Sequence, residues 1–188
     1  MLFLPVAIHR NFIDITASAA GFGGRAQTEV LMPQNPPRAQ GSIIALSTSK
    51  AKGEKKTNMP SARFIIDHGL DGDAHAADWH RQVSLLGTES IAKIQAAGID
   101  VTPGDFAENV TTSGLCLWEL PIGTRLQLGD TVQLEVTQIG KTCHHHCQIF
   151  QQVGDCVMPR EGIFAKVLQG GDVRVGDAVI VVDTPSPP

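Results

Sequence analysis

The stretch GTRLQLGDTVQLEVTQI, residues 123–139, carries the pattern that decides the fold of this chain. Apolar and polar residues alternate on both sides of Gly129-Asp130, and a period of two is typical of a strand with one buried face. Glycine adopts the positive φ that a tight turn needs, and aspartate hydrogen-bonds within its own turn. We therefore predict a β-hairpin with strands over 124–128 and 131–138.

A second stretch, DVRVGDAV at 172–179, repeats Gly-Asp before an apolar strand, and the same hairpin geometry is predicted there. Short apolar runs predict further strands, and Thr88 is the predicted N-cap of a helix through 97 that Gly98 ends. The remaining predicted strands are 42–47, 64–66, 83–86, 109–112, 163–168 and 178–182. The fold class is therefore mainly β with a few short helices (α+β), arranged as a barrel or sandwich.

The predicted domain occupies residues 42–183, and the chain of 188 residues is long enough for one domain with its own core. Residues 1–41 are rich in Gly and Pro and lack a sustained apolar period, which predicts a disordered N-terminal extension. Three prolines within the last four residues predict a frayed tail over 184–188.

Charge and hydropathy exclude two broad classes of protein. The chain has 15 basic and 19 acidic residues, and residues 61–188 alone hold 8 basic against 16 acidic. A nucleic-acid-binding face needs clustered positive charge, and a membrane span needs roughly 20 apolar residues in a row. We expect neither nucleic acid nor a membrane as a partner. The apolar start lacks the positive region of a signal peptide, so we expect a cytoplasmic protein.

The strongest chemical signal is KTCHHHC at 141–147, directly after a predicted strand. A strand end is a rigid mount for a reactive group, and Lys141 and a helix N-terminus both favour the thiolate form of Cys143. A thiolate attacks sulfur or an electrophile, or binds a soft or redox-active metal. Cys147 follows at one-turn spacing, so both thiols share a face if the segment is helical.

Three alternatives for this segment stay open. The two cysteines and two histidines are donors for structural zinc, although the Cys-x3-Cys spacing is loose. Cys143 and Cys147 are also close enough for a disulfide in a helical turn. The third alternative is that the histidines form only a solvated polar turn.

Two loops offer groups for a ligand. The stretch at 69–81 holds Asp73, His80 and Arg81, groups that suit either a cofactor pocket or a solvated Asx-turn loop. Glu108 and Asn109 begin a predicted strand and either anchor a ligand or bond neighbouring backbone. Cys116, between two leucines, is predicted to be a buried thiol.

Taken in order along the chain, these segments resemble the molybdenum cofactor sulfurase C-terminal (MOSC) domain family in its short bacterial form. The matching pieces are GLDGD at 69–73 with His80-Arg81, PGDFAEN at 103–109, TQIGKTC at 137–143 and GIFAKVL at 162–168. The resemblance implies a β-barrel with Cys143 at the edge of a pocket. In the family that cysteine is associated with sulfur carriage or with direct ligation of molybdenum.

The resemblance also implies the ligand and its binding residues. The molybdenum cofactor (molybdopterin) would have its phosphate neutralised by Arg81 and Arg160, with His80 and Lys141 also cofactor-binding. Asp73, Glu108 and Asn109 would hydrogen-bond the pterin or shape the loops. The larger sulfurases of the family carry a pyridoxal-phosphate domain that mobilises sulfur, which this chain is expected to lack.

The resulting functional hypothesis is a protein of molybdenum-cofactor metabolism that binds the cofactor and carries sulfur or ligates molybdenum through Cys143, with Cys147 as a second catalytic thiol. Its expected partners are a sulfur-donating desulfurase and molybdenum-cofactor biosynthesis proteins or molybdoenzymes. Two alternatives are a molybdenum-dependent reductase of N-hydroxylated compounds with an external electron donor, and a zinc-stabilised binding module.

Overall fold

A computed structural model describes residues 38–142, 150–151, 154 and 156–185 of the chain, and most of these residues lie in or between β-strands. Within these ranges, helices α1 and α2 and a 3-10 turn at Leu117–Glu119 interrupt the strands. In chain order the elements are β1 (Gln40–Thr48), β2 (Thr57–Met59), β3 (Ser61–Ile65), β4 (Gly69–Leu70), β5 (Val83–Gly87), α1 (Thr88–Ala96), β6 (Val110–Ser113), β7 (Arg125–Leu128), β8 (Val132–Ile139), α2 (Met158–Glu161), β9 (Ile163–Gln169), β10 (Gly171–Arg174) and β11 (Ala178–Asp183).

Seven strands form a closed barrel in the order β11-β7-β8-β9-β5-β6-β1. The barrel closes because β1 pairs antiparallel with β11, with Gln40 opposite Ile180 and Ser42 opposite Ala178. Neighbouring strands are antiparallel except β5 and β6, which are parallel and are connected through α1. Closure removes the unpaired edges that an open sheet would present. A separate three-stranded sheet has the order β10-β3-β4.

The predicted fold class is confirmed, and all eight predicted strands appear with ends shifted by no more than three residues. The hairpin at Gly129-Asp130 is confirmed, since β7 and β8 pair antiparallel with Leu128 opposite Val132. Three short strands escaped prediction: β2, β4 and β10 have four residues or fewer, too few to show a period.

Two local predictions are wrong. Gly176-Asp177 does not join a hairpin, because β10 pairs with β3 whereas β11 pairs with β7 and β1. The turn itself is present, with the Asp177 carboxylate accepting a hydrogen bond from the Arg174 N–H at 2.8 Å. Thr88 is not the N-cap but the first residue of α1, and Gly87 takes the cap position without a side-chain bond.

The barrel interior is filled by side chains that alternate along the strands, as the burial of every second residue of β8 shows. A second cluster lies where α1 and α2 pack outside the barrel against β5 and β9. It is made up of Leu86, Ile91, Ile94, Val101, Phe106, Cys156, Val157, Met158 and Phe164. Neither helix of the described ranges has the length and apolar run that crossing a bilayer requires.

The segment after β8 is tied to α2 by backbone hydrogen bonds. Gly140 N–H donates to the Gly162 carbonyl at 2.6 Å, and Lys141 N–H donates to the Pro159 carbonyl at 3.1 Å. Gly140 has a φ of +66°, and a Cβ at this position would collide with the Pro159 carbonyl oxygen. Only glycine therefore lets the chain leave β8 and pass this close to α2.

We expect Gly140→Ala to destabilise the protein by at least about 2 kcal/mol, because it adds a backbone collision to the cost of a left-handed conformation. Gly53→Ala is the matched control, since Gly53 has a φ of +86° with open space around its missing Cβ. The control should lose only about 1 kcal/mol. Urea unfolding followed by tryptophan fluorescence measures both, and equal losses would show that the segment moves to accept the methyl group.

Candidate functional site

A cavity of about 140 Å³ opens where the loop after β4 meets the start of β5, the residues before β6 and the end of β8. This is the volume of about five water molecules, enough for one polar end of a cofactor. Its lining combines three basic side chains with two hydrogen-bonding and several apolar ones. The lining residues are His75, Trp79, Arg81, Ser84, Ala107, Asn109, Lys141, Met158 and Phe164.

Arg81 is held in the cavity by aromatic rings. Its guanidinium carbon lies 4.8 Å from the centre of the Trp79 ring and 5.6 Å from that of Phe164, which are cation–π distances. The Arg81 Nε is buried and has no hydrogen-bond partner within the described structure. Stacking on these rings therefore fixes the position of the guanidinium.

The opposite wall is a hydrogen-bond network that joins three strands. The Asn109 side-chain oxygen accepts bonds from the Ser84 hydroxyl at 2.9 Å and the Ser84 N–H at 3.1 Å. The Asn109 amide donates to the Ser47 carbonyl at 3.1 Å. Asn109 thus links the ends of β1, β5 and β6, and its position at the wall follows from this structural role.

Beneath the cavity, Asp73 and Lys56 form a buried ion pair, with each side chain only 1% exposed. The Asp73 carboxylate also accepts the N–H of Ser49 at 3.1 Å and of His75 at 3.0 Å. The pair therefore joins the charged loop after β1 to the loop that carries Trp79 and Arg81. Asp73 does not line the cavity in the described structure.

The network determines the charge state of Asp73. Burial alone would raise the pKa of the Asp73 carboxyl, but hydrogen bonds from His75, Lys56 and Ser49 outweigh it and hold that pKa well below its usual range. A carboxylate that stays ionised keeps the buried ammonium of Lys56 paired.

Glu108 closes the loop before β6. Its carboxylate accepts the N–H of Gly104 at 2.6 Å, the N–H of Phe106 at 3.2 Å and the Thr111 hydroxyl at 2.9 Å. Burial raises the pKa of Glu108, with these hydrogen bonds opposing the rise. The sequence left two roles open for Glu108, anchoring a ligand or bonding neighbouring backbone. The observed hydrogen bonds are of the second kind.

The remaining candidates lie elsewhere or outside the description. His80 is exposed, with Nε2 3.1 Å from the Gln138 side-chain oxygen, and Arg160 is exposed on α2. Neither contributes to the lining of the described cavity. Cys143 and Cys147 lie outside the described residues, and with them the predicted thiol and zinc chemistry.

The prediction for Cys116 is wrong. Its side chain is exposed, whereas its neighbours Leu115 and Leu117 are buried, because the strand has ended and the 3-10 turn begins directly after it. Cys156 is buried in the cluster below α2.

The chemistry of the lining fits an anionic group. Among the described residues, the titratable side chains that line the cavity are His75, Arg81 and Lys141, and none of the described lining residues is an acid. Phosphate and other oxyanions are matched by guanidinium and ammonium donors. In the described ranges no three His, Cys, Asp or Glu side chains come together as a metal-binding group.

Several cavity residues were not among those singled out in the sequence. Trp79 and His75 stand within the predicted ligand loop, but nothing in their spacing separates lining from solvated residues. Ser84 is the one polar residue inside the apolar run VSLL, and this interruption of the run could have identified it as a candidate. Lys56 gave no signal, because it ends a run of exposed charged residues.

Comparison with known proteins places these features in context. Residues 71–180 match the MOSC domain family. A comparison with curated proteins gives no significant match.

Solved structures show the same fold at low sequence identity. YuaD from Bacillus subtilis has 19% identity and a TM-score of 0.66, covering 77% of this chain and 96% of that one. YiiM from Geobacillus stearothermophilus has 19% identity and a TM-score of 0.57, covering 76% and 75% of the two chains. YiiM from Escherichia coli has 17% identity and a TM-score of 0.57, covering 79% and 72%.

We expect Asp73→Asn to cost about 3 kcal/mol at pH 6, because it leaves the buried Lys56 without a counter-ion. An unfolded aspartate titrates near pH ~3.9 and the folded Asp73 lower, so this stabilisation is complete above that range and is lost as the pH falls. The stability difference between wild type and Asp73→Asn should therefore shrink between pH 6 and pH 3.

Urea unfolding at each pH measures this difference. Asp71→Asn, which changes an exposed aspartate of the same loop, should stay within about 0.5 kcal/mol of wild type throughout. A difference for Asp73→Asn that is constant with pH would contradict the assignment of the ionised pair.

Proposed function

Because this chain belongs to the MOSC domain family, as its match over residues 71–180 establishes, we propose that it binds the molybdenum cofactor in the described cavity and handles sulfur or molybdenum through Cys143. The family membership supports a protein related to molybdenum-cofactor chemistry. The cavity and the sequence around it support the finer assignment.

The observation that carries the proposal is the charge of the cavity. The Arg81 guanidinium lies over the rings of Trp79 and Phe164, its Nε has no hydrogen-bond partner within the described structure, and Lys141 lines the same cavity. None of the described lining residues is an acid that would neutralise these two partly exposed cations. Such a lining is suited to an anionic ligand.

The proposed roles divide the candidate residues into two groups. Arg81 and Lys141 bind the phosphate of the cofactor, and Ser84 and Asn109 shape the wall beside it. Asp73 and Glu108 act through the loops that they hold, because their carboxylates are already occupied by donors from the protein. His80 and Arg160 lie outside the described cavity and would contact a part of the cofactor that extends beyond it.

Lys141 lines the cavity, and Cys143 follows it by two residues in the sequence. The proposed reactive thiol therefore comes shortly after a cavity residue along the chain. In sulfur transfer, its thiolate attacks the outer sulfur of a persulfide on a donor protein, a new S–S bond forms, and the donor's cysteine leaves as a thiolate. When bound, the cofactor supplies molybdenum, a redox-active metal for which a thiolate is a suitable ligand.

The sulfur must come from a partner in this proposal. A desulfurase, of the pyridoxal-phosphate type found in the larger members of the family, is the class of protein that mobilises sulfur from cysteine. The acceptor would be the cofactor itself or a molybdoenzyme that receives it. Cys147 would act as the second thiol: its thiolate attacks the Cys143 sulfur, a Cys143–Cys147 disulfide forms, and the outer sulfur leaves as hydrosulfide to the acceptor. A dithiol reductant would then return both cysteines to thiols.

Protein made in cells that synthesise the cofactor should contain molybdenum and pterin. Elemental analysis and pterin fluorescence after oxidation measure the two independently. We expect Arg81→Gln to lower both by at least tenfold, because it removes a charge-assisted bond to the phosphate. Cys143→Ala should lose molybdenum or the persulfide but keep its fold, as checked by circular dichroism.

The other outcomes separate the alternatives. Molybdenum that stays at wild-type level in both variants would contradict the proposal. Stoichiometric zinc without molybdenum, with unfolding on chelation, would assign the 143–147 segment to a structural metal. Turnover of a hydroxylamine substrate by the loaded protein with an added electron donor would favour the reductase alternative over the carrier.

A further inference from the structure

His75 occupies a position in the cavity that phosphate binding by Arg81 and Lys141 does not explain. Its ring lines the cavity, and its Nδ1 is buried 3.5 Å from the Asp73 Oδ1. The side chain is 32% exposed. Because the Nδ1 edge faces the buried carboxylate, the exposed part of the side chain lies among its other atoms, which include Nε2.

The loop holds the ring in this orientation. The His75 N–H donates to Asp73 at 3.0 Å, and the His75 carbonyl accepts the Trp79 indole N–H at 3.2 Å. Asp73 in turn is fixed by Lys56 and by the Ser49 N–H. The imidazole therefore stands on a rigid base, unlike the exposed His80 farther along the loop.

We propose that His75 takes up a proton at Nε2 when an oxyanion binds beside Arg81 and Lys141, so that ligand binding in this cavity is coupled to protonation. In the empty cavity the Asp73 carboxylate favours the tautomer with its proton on Nδ1. Nε2 then carries the lone pair of the ring. An incoming oxyanion brings further lone pairs to that nitrogen, and a proton taken from solvent converts repulsion into a charge-assisted hydrogen bond.

The charges around the ring act in both directions. Asp73 attracts a proton to the imidazole, whereas Arg81, Lys141 and, behind Asp73, Lys56 oppose a further positive charge. A bound oxyanion neutralises the cationic wall and shifts this balance towards the protonated ring.

This inference rests on the proposed function for the location of the ligand, and it adds the chemical class that the cavity selects. A dianionic group, such as a phosphate monoester or a free tetrahedral oxyanion, draws the proton more strongly than a monoanion. The coupling therefore favours the phosphate end of a cofactor over a carboxylate of similar size.

Sodium sulfate is the probe, because sulfate does not itself titrate near neutral pH. Calorimetric titrations of the full chain at pH 6.5, in two buffers of different ionisation enthalpy, measure proton uptake. We expect uptake in wild type and none in His75→Gln. At pH 6 His75→Gln should bind sulfate roughly tenfold more weakly than wild type, with affinities converging at pH 8.

His68→Gln is the matched control, since His68 lies on the same connection before β4 and does not line the cavity. It should show the proton uptake of wild type. Arg81→Gln should lose sulfate affinity at both pH values, which locates the ion. Sodium acetate, titrated in the same way, compares a monoanion with the dianionic sulfate.

A measurement on the wild-type protein keeps the proposal testable if His75→Gln fails to fold. Long-range ¹H–¹⁵N spectra of the sulfate-free protein at pH 8 should show the His75 tautomer protonated at Nδ1. The tautomer protonated at Nε2, or proton uptake that survives in folded His75→Gln, would overturn the inference. Molybdenum loading that depends on Arg81 would still support the proposed function in that case, and absence of sulfate binding in a protein that loads molybdenum would overturn the inference alone.

Discussion

The pairing of β1 with β11 is the constraint on which the rest of the molecule depends. It turns an open seven-stranded sheet into a closed barrel and so fixes where every strand ends. The cavity is built from such ends: Ser84 at the start of β5, Asn109 before β6 and Lys141 after β8. Side chains mounted on hydrogen-bonded strand ends hold their positions better than side chains on free loops.

The cavity also needs one loop that the barrel does not hold by itself. The loop between β4 and β5 carries His75, Trp79 and Arg81, and it is secured from below by Asp73 and Lys56. A buried ion pair is a costly way to gain stability, since both ions lose their hydration. Its advantage here is geometrical, because one carboxylate accepts donors from two loops and from Lys56 at once.

Polar residues around the cavity divide into those that are satisfied by the protein and those that are not. Some side chains are already hydrogen-bonded to backbone groups and neighbouring side chains, as is the case for Asp73, Glu108 and Asn109. Arg81 keeps a buried Nε that has no partner among the described residues. This division, rather than residue type, separates groups that build the walls from groups that are free to meet a ligand. It also explains why a cluster of polar residues in sequence overstates the number of ligand contacts.

The sequence by itself determined the class of fold and the regions of chemical interest. Alternation with a period of two located β7 and β8, and short apolar runs located six further strands. The Gly-Asp turn between β7 and β8 was readable because its strands are consecutive. Four motifs in order along the chain indicated the MOSC family, which the match over residues 71–180 confirms.

Only the tertiary structure decided which strands pair and which side chains meet. Gly176-Asp177 has the same local sequence as the first turn, yet β10 and β11 separate because their partners, β3 and β7, lie far away in the sequence. In the sequence Lys56 resembles the solvated lysines beside it. Only the fold pairs it with Asp73, 17 residues later. Exposure of Cys116 likewise follows from where the strand ends. Pairing between distant segments has no local signature, because its energy comes from contacts that exist only after the chain has closed.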